Sequence, residues 1–344
     1  MKSLVFFALS LMVTGCAVAR KENFDTSGLN SQASVKVISE TANEEIVIEF
    51  VPSNGGAAAS AQFGLIGALV GSAIDAGVNN SRAKSVEEKV QSFRAATSTL
   101  DMRQLLIQTL ESGTDSLPWQ GEKTFATDGI PPKGVTREFL ASLSEQYLIQ
   151  INTRYHFKPS LQVAELVTAY SVWDKTKLGK KAMIKPIYKN HVIYQSFPHN
   201  ANRRHLTAEE QEAELTEYMK KNPTDASLSK NTRAKNQKKV NNFKAGLDKK
   251  MIALDSYTPD GQVWLQDEAK LLLAALTEGA QEVAEIVVAD LSGALPLPEA
   301  AFDKKNNTVN HVVKTHENGR IVERSIHGGL ISRDSGYPLY TVFD

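Results

Sequence analysis

The feature that most constrains this chain is its only cysteine, Cys16, which directly follows an apolar leader. Lys2 supplies a positive charge ahead of the uncharged run at residues 4–13. This order is typical of a secretory signal peptide, and the run is too short to span a bilayer as a helix. Because a single cysteine allows no internal disulfide, the exported chain must be stabilised by an apolar core. A hydrophobic content of 42% over 344 residues is enough for one large or two moderate domains.

The residues Val13-Thr14-Gly15-Cys16 resemble the lipobox of bacterial lipoproteins. The resemblance implies that residues 1–15 are removed, that the Cys16 thiol receives a diacylglycerol, and that the new amino terminus is acylated, for example by palmitate. Several acyl chains hold a protein firmly to a membrane. Ala17 stands where enteric members of the family carry an inner-membrane Asp signal, so we expect the outer membrane, with the leaflet left open. The alternative is an ordinary secreted protein with a chance cysteine near its cleavage site.

Overall charge does not direct the chain to nucleic acid, because 39 Lys and Arg balance 39 Asp and Glu. Residues 18–33 are polar, so residues 16–33 predict a lipidated cysteine followed by a flexible tether. Beyond them we predict an α+β domain at residues 34–200, a helical section at 201–298 and a C-terminal β-hairpin region at 299–344.

The predicted fold class is α+β: an antiparallel β-meander with helices on one side. Runs at residues 148–157, 161–173 and 183–197, joined by short turns, predict the meander, and Pro186 indicates that its third strand is bulged or at an edge. Short alternating runs at 35–39 and 45–51 predict a half-buried hairpin. This middle region loosely resembles the periplasmic α/β domains of envelope-assembly lipoproteins, a fold-level likeness that implies no functional residues.

Local signals place the remaining elements. Thr207 and Glu210 have the spacing of a capping box and predict a helix that Asn222-Pro223 ends. A second helix is predicted to run to about Leu254, and a third from about Trp264 to Leu291, with Gly279 as its weak point. Asn318-Gly319 lies between two alternating runs and predicts a β-hairpin. Residues 113–134 predict a long loop that packs on Trp119.

Residues 57–78 form an unusual segment, since the first eighteen carry no charge and small residues recur at fourth positions. Such spacing lets two helices approach closely, so the segment is a candidate for membrane insertion or self-association. The alternative is a tightly packed buried helix or Gly-rich loop, because the segment is only weakly hydrophobic. The candidate residues are Gly64, Gly67, Ala68, Gly71 and Ser72.

A lysine-rich turn separates the second and third predicted strands of the meander. Such a tip is suited to contact with anionic headgroups, and the alternative is a solvated tip whose lysines protect an edge strand. The candidate contact residues are Lys175, Lys177, Lys180 and Lys181.

The predicted helical section is polarised, with glutamates at 209–217 and Lys or Arg at 230–239. Nucleic acid is a conceivable partner for the basic run, but an exported chain does not meet it. We predict instead that the two helices are neighbours whose charges partly neutralise each other.

Catalytic and metal-binding patterns are lacking, so we predict no catalytic residue, no metal and no cofactor. His199 and His205, and His311 and His316, have no nearby carboxylate at the spacing of a zinc site. The chain contains no nucleophile elbow, zincin motif or phosphate loop, although a Ser/His/Asp triad assembled from distant residues remains open.

These features together favour a non-enzymatic envelope lipoprotein that binds or scaffolds an envelope protein. The same protein is also a candidate homo-oligomer. Two other classes stay open. One is a lipid-anchored hydrolase acting on envelope polymer, and the other is a membrane-active protein that inserts or oligomerises through residues 57–78.

Overall fold

The computed structural model describes residues 23–49, 76–178, 184–247, 249–296, 310–325 and 328–340, with backbone alone for residues 76–85. In this part of the chain, helices pack on a large mixed sheet, and the α+β fold class is confirmed. The helices are α1 Ala76–Thr97, α2 Met102–Gly113, α3 Arg137–Ser142, α4 Ala208–Lys221, α5 Lys230–Leu247 and α6 Gln266–Leu291. The strands are β1 Val35–Thr41, β2 Val47–Ile48, β3 Lys123–Ala126, β4 Tyr147–Phe157, β5 Ala164–Asp174, β6 Tyr188–Gln195, β7 Arg203–His205, β8 Met251–Ala253, β9 His311–Thr315, β10 Arg320–Arg324 and β11 Leu330–Asp334.

The main sheet has the strand order β3-β1-β4-β5-β6-β11-β10-β9, with β2 paired to β4. Strands β4, β5 and β6 pair antiparallel, which confirms the predicted meander. The C-terminal hairpin of β9 and β10 is also confirmed. The prediction that the third strand is bulged or at an edge is wrong, because β6 pairs with β5 without a register shift and β11 pairs parallel with it on the other side. Pro186 is tolerated because it precedes β6 and removes no ladder hydrogen bond.

The hairpin predicted for residues 35–51 is not formed. Strands β1 and β2 both pair parallel with β4, one beside its beginning and the other beside its end. Asn43 lies in the polar connection between them, and its Nδ2 donates to the backbone oxygens of Glu45 and Tyr155. Alternation indicates a half-buried strand but does not identify its partner. The predicted 113–134 loop likewise contains β3, although Trp119 within it is buried as expected.

Helix α6 lies along the inner face of the sheet and supplies much of the main core. One apolar stripe of α6 is at most 1% exposed, and its members are Leu272, Leu276, Ala280, Val283 and Val287. Gly279 was predicted to weaken the helix, but it also has a role in packing. A Cβ added there would lie 2.8 Å from the Tyr194 ring and 3.0 Å from a Leu166 methyl carbon. Glycine therefore permits the close approach of α6 to β5 and β6.

The helices do not all lie on one side. Ile38, Leu148 and Trp173 alternate with core residues along their strands and therefore point to the opposite face. There they pack with Leu140 of the short helix α3. Thr136 caps α3, because its hydroxyl accepts a hydrogen bond from Phe139 N. This second cluster is small, so most of the core remains on the α6 side.

Helices α4 and α5, together with the β7–β8 ribbon at their base, form an extension that we call the helical arm. The predicted capping box of α4 is confirmed, with Thr207 and Glu210 bonding each other's backbone N–H. Helix α5 ends at Leu247 rather than near Leu254, because Met251 begins a strand that pairs with β7. Apolar residues recur at helical spacing on both sides of this boundary, and this spacing predicted one longer helix.

The two ends of the main sheet carry different parts of the chain. We call the end where β1 and β4 begin the N-terminal pole, because residues 23–34 pack there. The opposite end, where β4 ends and β5 begins, is the arm pole. The arm joins it through Asn202, whose N–H donates to Gln162 Oε1 at 3.0 Å. Strand β5 has 11 residues, so the poles are about 33 Å apart at the usual rise per residue.

Candidate functional site at the two poles

A buried ion pair joins α6 to β10 near the N-terminal pole. The side chains of Arg324 and Asp290 are 1% and 0% exposed, with 2.6 Å between Arg324 Nη2 and Asp290 Oδ1. Asp290 Oδ2 accepts hydrogen bonds from Tyr188 at 2.6 Å, from Asn190 at 3.0 Å and from the Tyr170 hydroxyl. Burial alone would raise the pKa of Asp290, but these hydrogen bonds and the Arg324 charge outweigh it and lower the pKa. Asp290 is thus a fully engaged structural carboxylate.

A second buried charge network lies at the arm pole. Lys158 Nζ is 2.9 Å from Glu165 Oε1 and 3.1 Å from Glu49 Oε2. His156 Nε2 is 3.1 Å from the same Glu165 oxygen, and Gln195 donates to the other at 2.8 Å. Burial opposes ionisation of Glu165, but the His156 hydrogen bond and the Lys158 charge outweigh it and lower its pKa to about 2. So acidic a carboxyl is poorly matched to proton transfer at neutral pH.

One group contains the residue types of a hydrolytic triad. Ser332 Oγ donates to Glu282 Oε1 at 2.8 Å, and His316 Nε2 lies 3.1 Å from the same oxygen. In a catalytic triad the histidine stands between the hydroxyl and the carboxylate, where it can take the hydroxyl proton. Here the carboxylate stands in the middle. This arrangement therefore fixes the C-terminal strands to α6 and does not activate Ser332.

The histidine pairs singled out in the sequence take separate positions. His199 packs edge-on against Trp264, with ring centroids 5.4 Å apart, and its burial lowers its pKa. His316 belongs to the Glu282 group described above. Among the described residues, no group of three or more His, Cys, Asp or Glu side chains could hold a metal ion.

The helical arm is unusually poor in buried side chains. Helix α4 has no buried residue, and in α5 only Val240 and Leu247 are buried. The two helices are held together by a stacked pair of rings, Tyr218 and Phe243, with centroids 4.0 Å apart and planes 3° apart. A helix that is polar on nearly all sides gains little from packing on its own body.

The charges of the arm are divided unevenly between its helices. Glu210 and Glu214 of α4 each pair at 2.6 Å, with Arg204 and Lys250 respectively, and Glu217 pairs with the neighbouring Lys220. The helices are neighbours as predicted, but no ion pair within 4.0 Å joins these glutamates to α5 in the described chain. Helix α5 contains no Asp or Glu, and its cations are Lys230, Arg233, Lys235, Lys238, Lys239 and Lys244.

The N-terminal segment is docked on the body at the opposite pole. The Phe24 ring lies 5.1 Å from the Tyr188 ring and 5.7 Å from the Trp119 ring, and Phe24 is 5% exposed. Asn23 Oδ1 accepts a hydrogen bond from Arg324 Nη1 at 3.4 Å. The flexible tether predicted for residues 16–33 is therefore too long. Its residues 23–33 pack on the body because Phe24 fills an aromatic site that polar composition alone does not reveal.

The lysine-rich turn begins at the same pole. Lys175 Nζ donates to the Leu143 carbonyl oxygen at 2.6 Å, so this lysine also has a structural contact. Lys177 is exposed. Hydrogen bonds from Ser27 chiefly lower the pKa of Asp25, and the nearby charge of Lys177 contributes, which places that lysine beside the N-terminal segment. Lys180 and Lys181 lie outside the described residues.

The other sequence-predicted residues are not tested by the structure. Cys16 and the small residues at 64–72 fall outside the described residues, and residues 76–78 belong to the backbone of α1. Within the described chain, no helix combines the length and apolar character needed to cross a bilayer.

The buried charge centres were missed by the sequence analysis. One signal for Asp290 was available, since it lies three residues after Val287 on the apolar stripe of α6. A carboxylate in that position needs a buried partner. The partner, Arg324, is 34 positions away on another element, so no local pattern could have identified it.

Comparison with known proteins assigns neither a family nor a function to this chain. None of the family models, curated proteins or solved structures compared with the chain matches it. Its function must therefore be argued from its own residues.

Proposed function

We propose that this protein is a non-enzymatic envelope lipoprotein, anchored through acylated Cys16, that binds or scaffolds another envelope protein through its helical arm. The observation that carries the proposal is the placement of the N-terminal segment and the arm at opposite poles of one sheet. An anchor at one pole and a binding element at the other is the arrangement that a membrane-tethered scaffold needs. Because Ala17 stands in place of the inner-membrane Asp signal, the outer membrane is the proposed location.

The arm supports a binding role because few of its side chains are buried and its charges are unevenly divided between its helices. A polar, charged helical hairpin commonly bridges to another surface or relies on many ion pairs. Helix α4 has such pairs, but α5 has six cations without an acidic neighbour on its own helix. Exposed charge of one sign steers association with an oppositely charged partner. We therefore expect an acidic protein surface to cover α5.

The buried ionisable groups support a non-enzymatic reading. Asp290 is held by four donors, and Glu165 is held by Lys158, His156 and Gln195. The charges and hydrogen-bonding atoms of these two carboxylates are therefore engaged in contacts within the fold. The Glu282 group lacks the order of a triad, as described above.

The arm is tested by photo-crosslinking in cells. A photoreactive amino acid replaces Lys238, which is exposed on α5, and the matched control replaces Lys133, which is exposed on the body. We expect a discrete protein adduct from position 238 and none of the same mass from position 133. Identical adducts from both positions, or none from position 238, would contradict arm-mediated binding.

The anchor is tested separately by mass spectrometry of the N-terminal peptide. We expect a peptide that begins at Cys16 and carries the added mass of a diacylglycerol and one acyl chain. The variant Cys16→Ala should leave the membrane fraction. An unmodified thiol, or cleavage elsewhere with release of the chain, would contradict the anchor.

A further inference from the structure

The length of chain between the anchor and the docked segment limits how the body sits on a membrane. Residues 17–22 lie between Cys16 and Asn23, which makes seven residue steps, and an extended chain spans at most about 3.6 Å per residue. The docked Asn23 therefore lies within about 25 Å of the lipidated residue. Since the arm pole is about 33 Å farther along β5, the N-terminal pole is the end of the sheet held close to the bilayer.

The same pole is bordered by exposed lysines. Lys177 follows the end of β5, and Lys185 precedes β6 beside Ile184, which packs with Leu178 on the outer face. The sequence from residue 175 to residue 189 contains six lysines and no Asp or Glu. The preceding acid, Asp174, is 6% exposed and accepts hydrogen bonds from Thr176. Asp25 is the exposed acid on the neighbouring segment, and it lies close to Lys177.

We propose that the N-terminal pole is a membrane-docking face, on which Lys177 and Lys185 contact the anionic headgroups of the bilayer that holds the anchor. This inference rests on the proposed lipidation of Cys16 and adds the orientation of the body. Lysines near an anionic surface each favour association. The short chain between Cys16 and Asn23 holds this face near the headgroups, so the bilayer is the anionic surface that its lysines meet. The arm then points away from the membrane.

The orientation can be measured with the full lipidated protein in vesicles. Cys16 is the only natural cysteine and carries the lipid, so one added cysteine can be labelled specifically. Thr176→Cys places a fluorophore at the N-terminal pole, and Asn241→Cys places the same fluorophore on α5; both positions are exposed. Energy transfer to a headgroup-labelled lipid is compared in phosphatidylcholine vesicles with and without phosphatidylglycerol. We expect transfer from position 176 to be several-fold higher and to increase further with the anionic lipid.

Charge reversal tests the lysines themselves. Adding Lys177→Glu and Lys185→Glu to the 176-labelled protein should lower the ratio of docked to undocked molecules by at least about 30-fold in anionic vesicles. The matched control adds Lys235→Glu and Lys238→Glu on the arm and should leave that ratio unchanged. Equal transfer from the two labels, higher transfer from position 241, or insensitivity to reversal at the pole would overturn the proposal.

The two proposals fail in different ways. If mass spectrometry finds no acyl group on Cys16, the anchor fails and the docking face loses its basis. If Cys16 is acylated but the two labels give equal transfer, the lipoprotein assignment stands and the docking face is wrong.

Discussion

In the sheet, charged side chains are buried against one another, whereas on the helical arm they face solvent. Asp290 and Arg324 are almost fully buried, while Glu214 and Lys250 of the arm form an equally short pair with exposures of 32% and 47%. Distance alone therefore does not measure the contribution of an ion pair. A buried pair fixes the fold because neither partner can be left alone, and an exposed pair can be exchanged for water or for a partner.

The largest expected effect comes from removing one member of the buried pair. Asp290→Ala leaves the Arg324 guanidinium without a counter-charge in the core and should lower the free energy of unfolding by about 3–5 kcal/mol. Glu214→Ala on the arm should lower it by less than about 1 kcal/mol. Denaturant unfolding followed by circular dichroism measures both.

If Asp290→Ala fails to fold, the double variant Asp290→Leu/Arg324→Met provides the comparison, since it removes both charges. It should recover part of the lost stability, because no charge is left unpaired but Tyr170, Tyr188 and Asn190 still lose their acceptor. If the buried and the exposed single variants lost similar free energies of unfolding, the contrast between sheet and arm would be wrong.

Acid should weaken the sheet more than the arm, because the exposed Glu210–Arg204 pair of the arm titrates over the same pH range but contributes little to stability. The folded-state pKa of Glu165 is about 2 against an ordinary value of 4.5. Its stabilising contribution, on the order of 3 kcal/mol, is therefore complete above pH 4.5 and is lost as the pH falls toward 2. Asp290 shifts in the same direction.

Unfolding free energies measured at pH 7, 4 and 3 test this dependence. Glu165→Gln should be less stable than the natural protein at pH 7 and should lose less stability between pH 7 and pH 3. An equally steep loss in the variant would show that Glu165 is not responsible.

Substitutions at two glycines are expected to change the stability by an intermediate amount. Gly279→Ala should destabilise the protein by about 1–3 kcal/mol, because the new Cβ meets Tyr194 and Leu166 in a close-packed interface. Gly246→Ala in α5 meets nothing within 4 Å. Alanine favours a helix over glycine, so this variant should gain up to about 1 kcal/mol. Thermal unfolding of the two variants measures the difference, and changes of the same sign would contradict it.

The smallest effect is expected from the lysines of α5. Lys235→Glu together with Lys238→Glu should change the free energy of unfolding by no more than about 0.5 kcal/mol, because both side chains are exposed and make no ion pair in the described chain. Lys235→Glu alone, combined with the photoreactive amino acid at position 238, should weaken the adduct formed from the arm. A large loss of stability would mean that these lysines serve the fold instead of a partner.

Elements with local signals could be predicted from the sequence. Thr207 and Glu210 lie three residues apart and cap α4, and Asn318-Gly319 turns the chain between β9 and β10. The meander was predictable because consecutive strands joined by short turns usually pair. In each case the deciding residues are neighbours along the chain.

Elements decided by distant residues could not be predicted in the same way. The pairing of β1 and β2 with β4 joins residues more than 100 positions apart, and Tyr170 meets Asp290 across 120 positions. Of the candidate site, the sequence revealed the lysine turn and the polarised helices, but not their positions on the sheet. It also missed the docking of Phe24, whose aromatic partners come from two distant segments.

The pairing of β6 with β11 has a consequence for the order in which the molecule can be assembled. Strand β6 meets its second neighbour only after more than 130 further residues, including the whole arm, have followed it. A chain that crosses a membrane from its amino end could thus complete the meander early, but the Asn23–Arg324 contact, which closes a loop of 301 residues, must form late. Deleting residues 310–340 removes Arg324 and should therefore make the chain at Asn23 more accessible to protease, and unchanged protection there would show that this contact does not hold the segment.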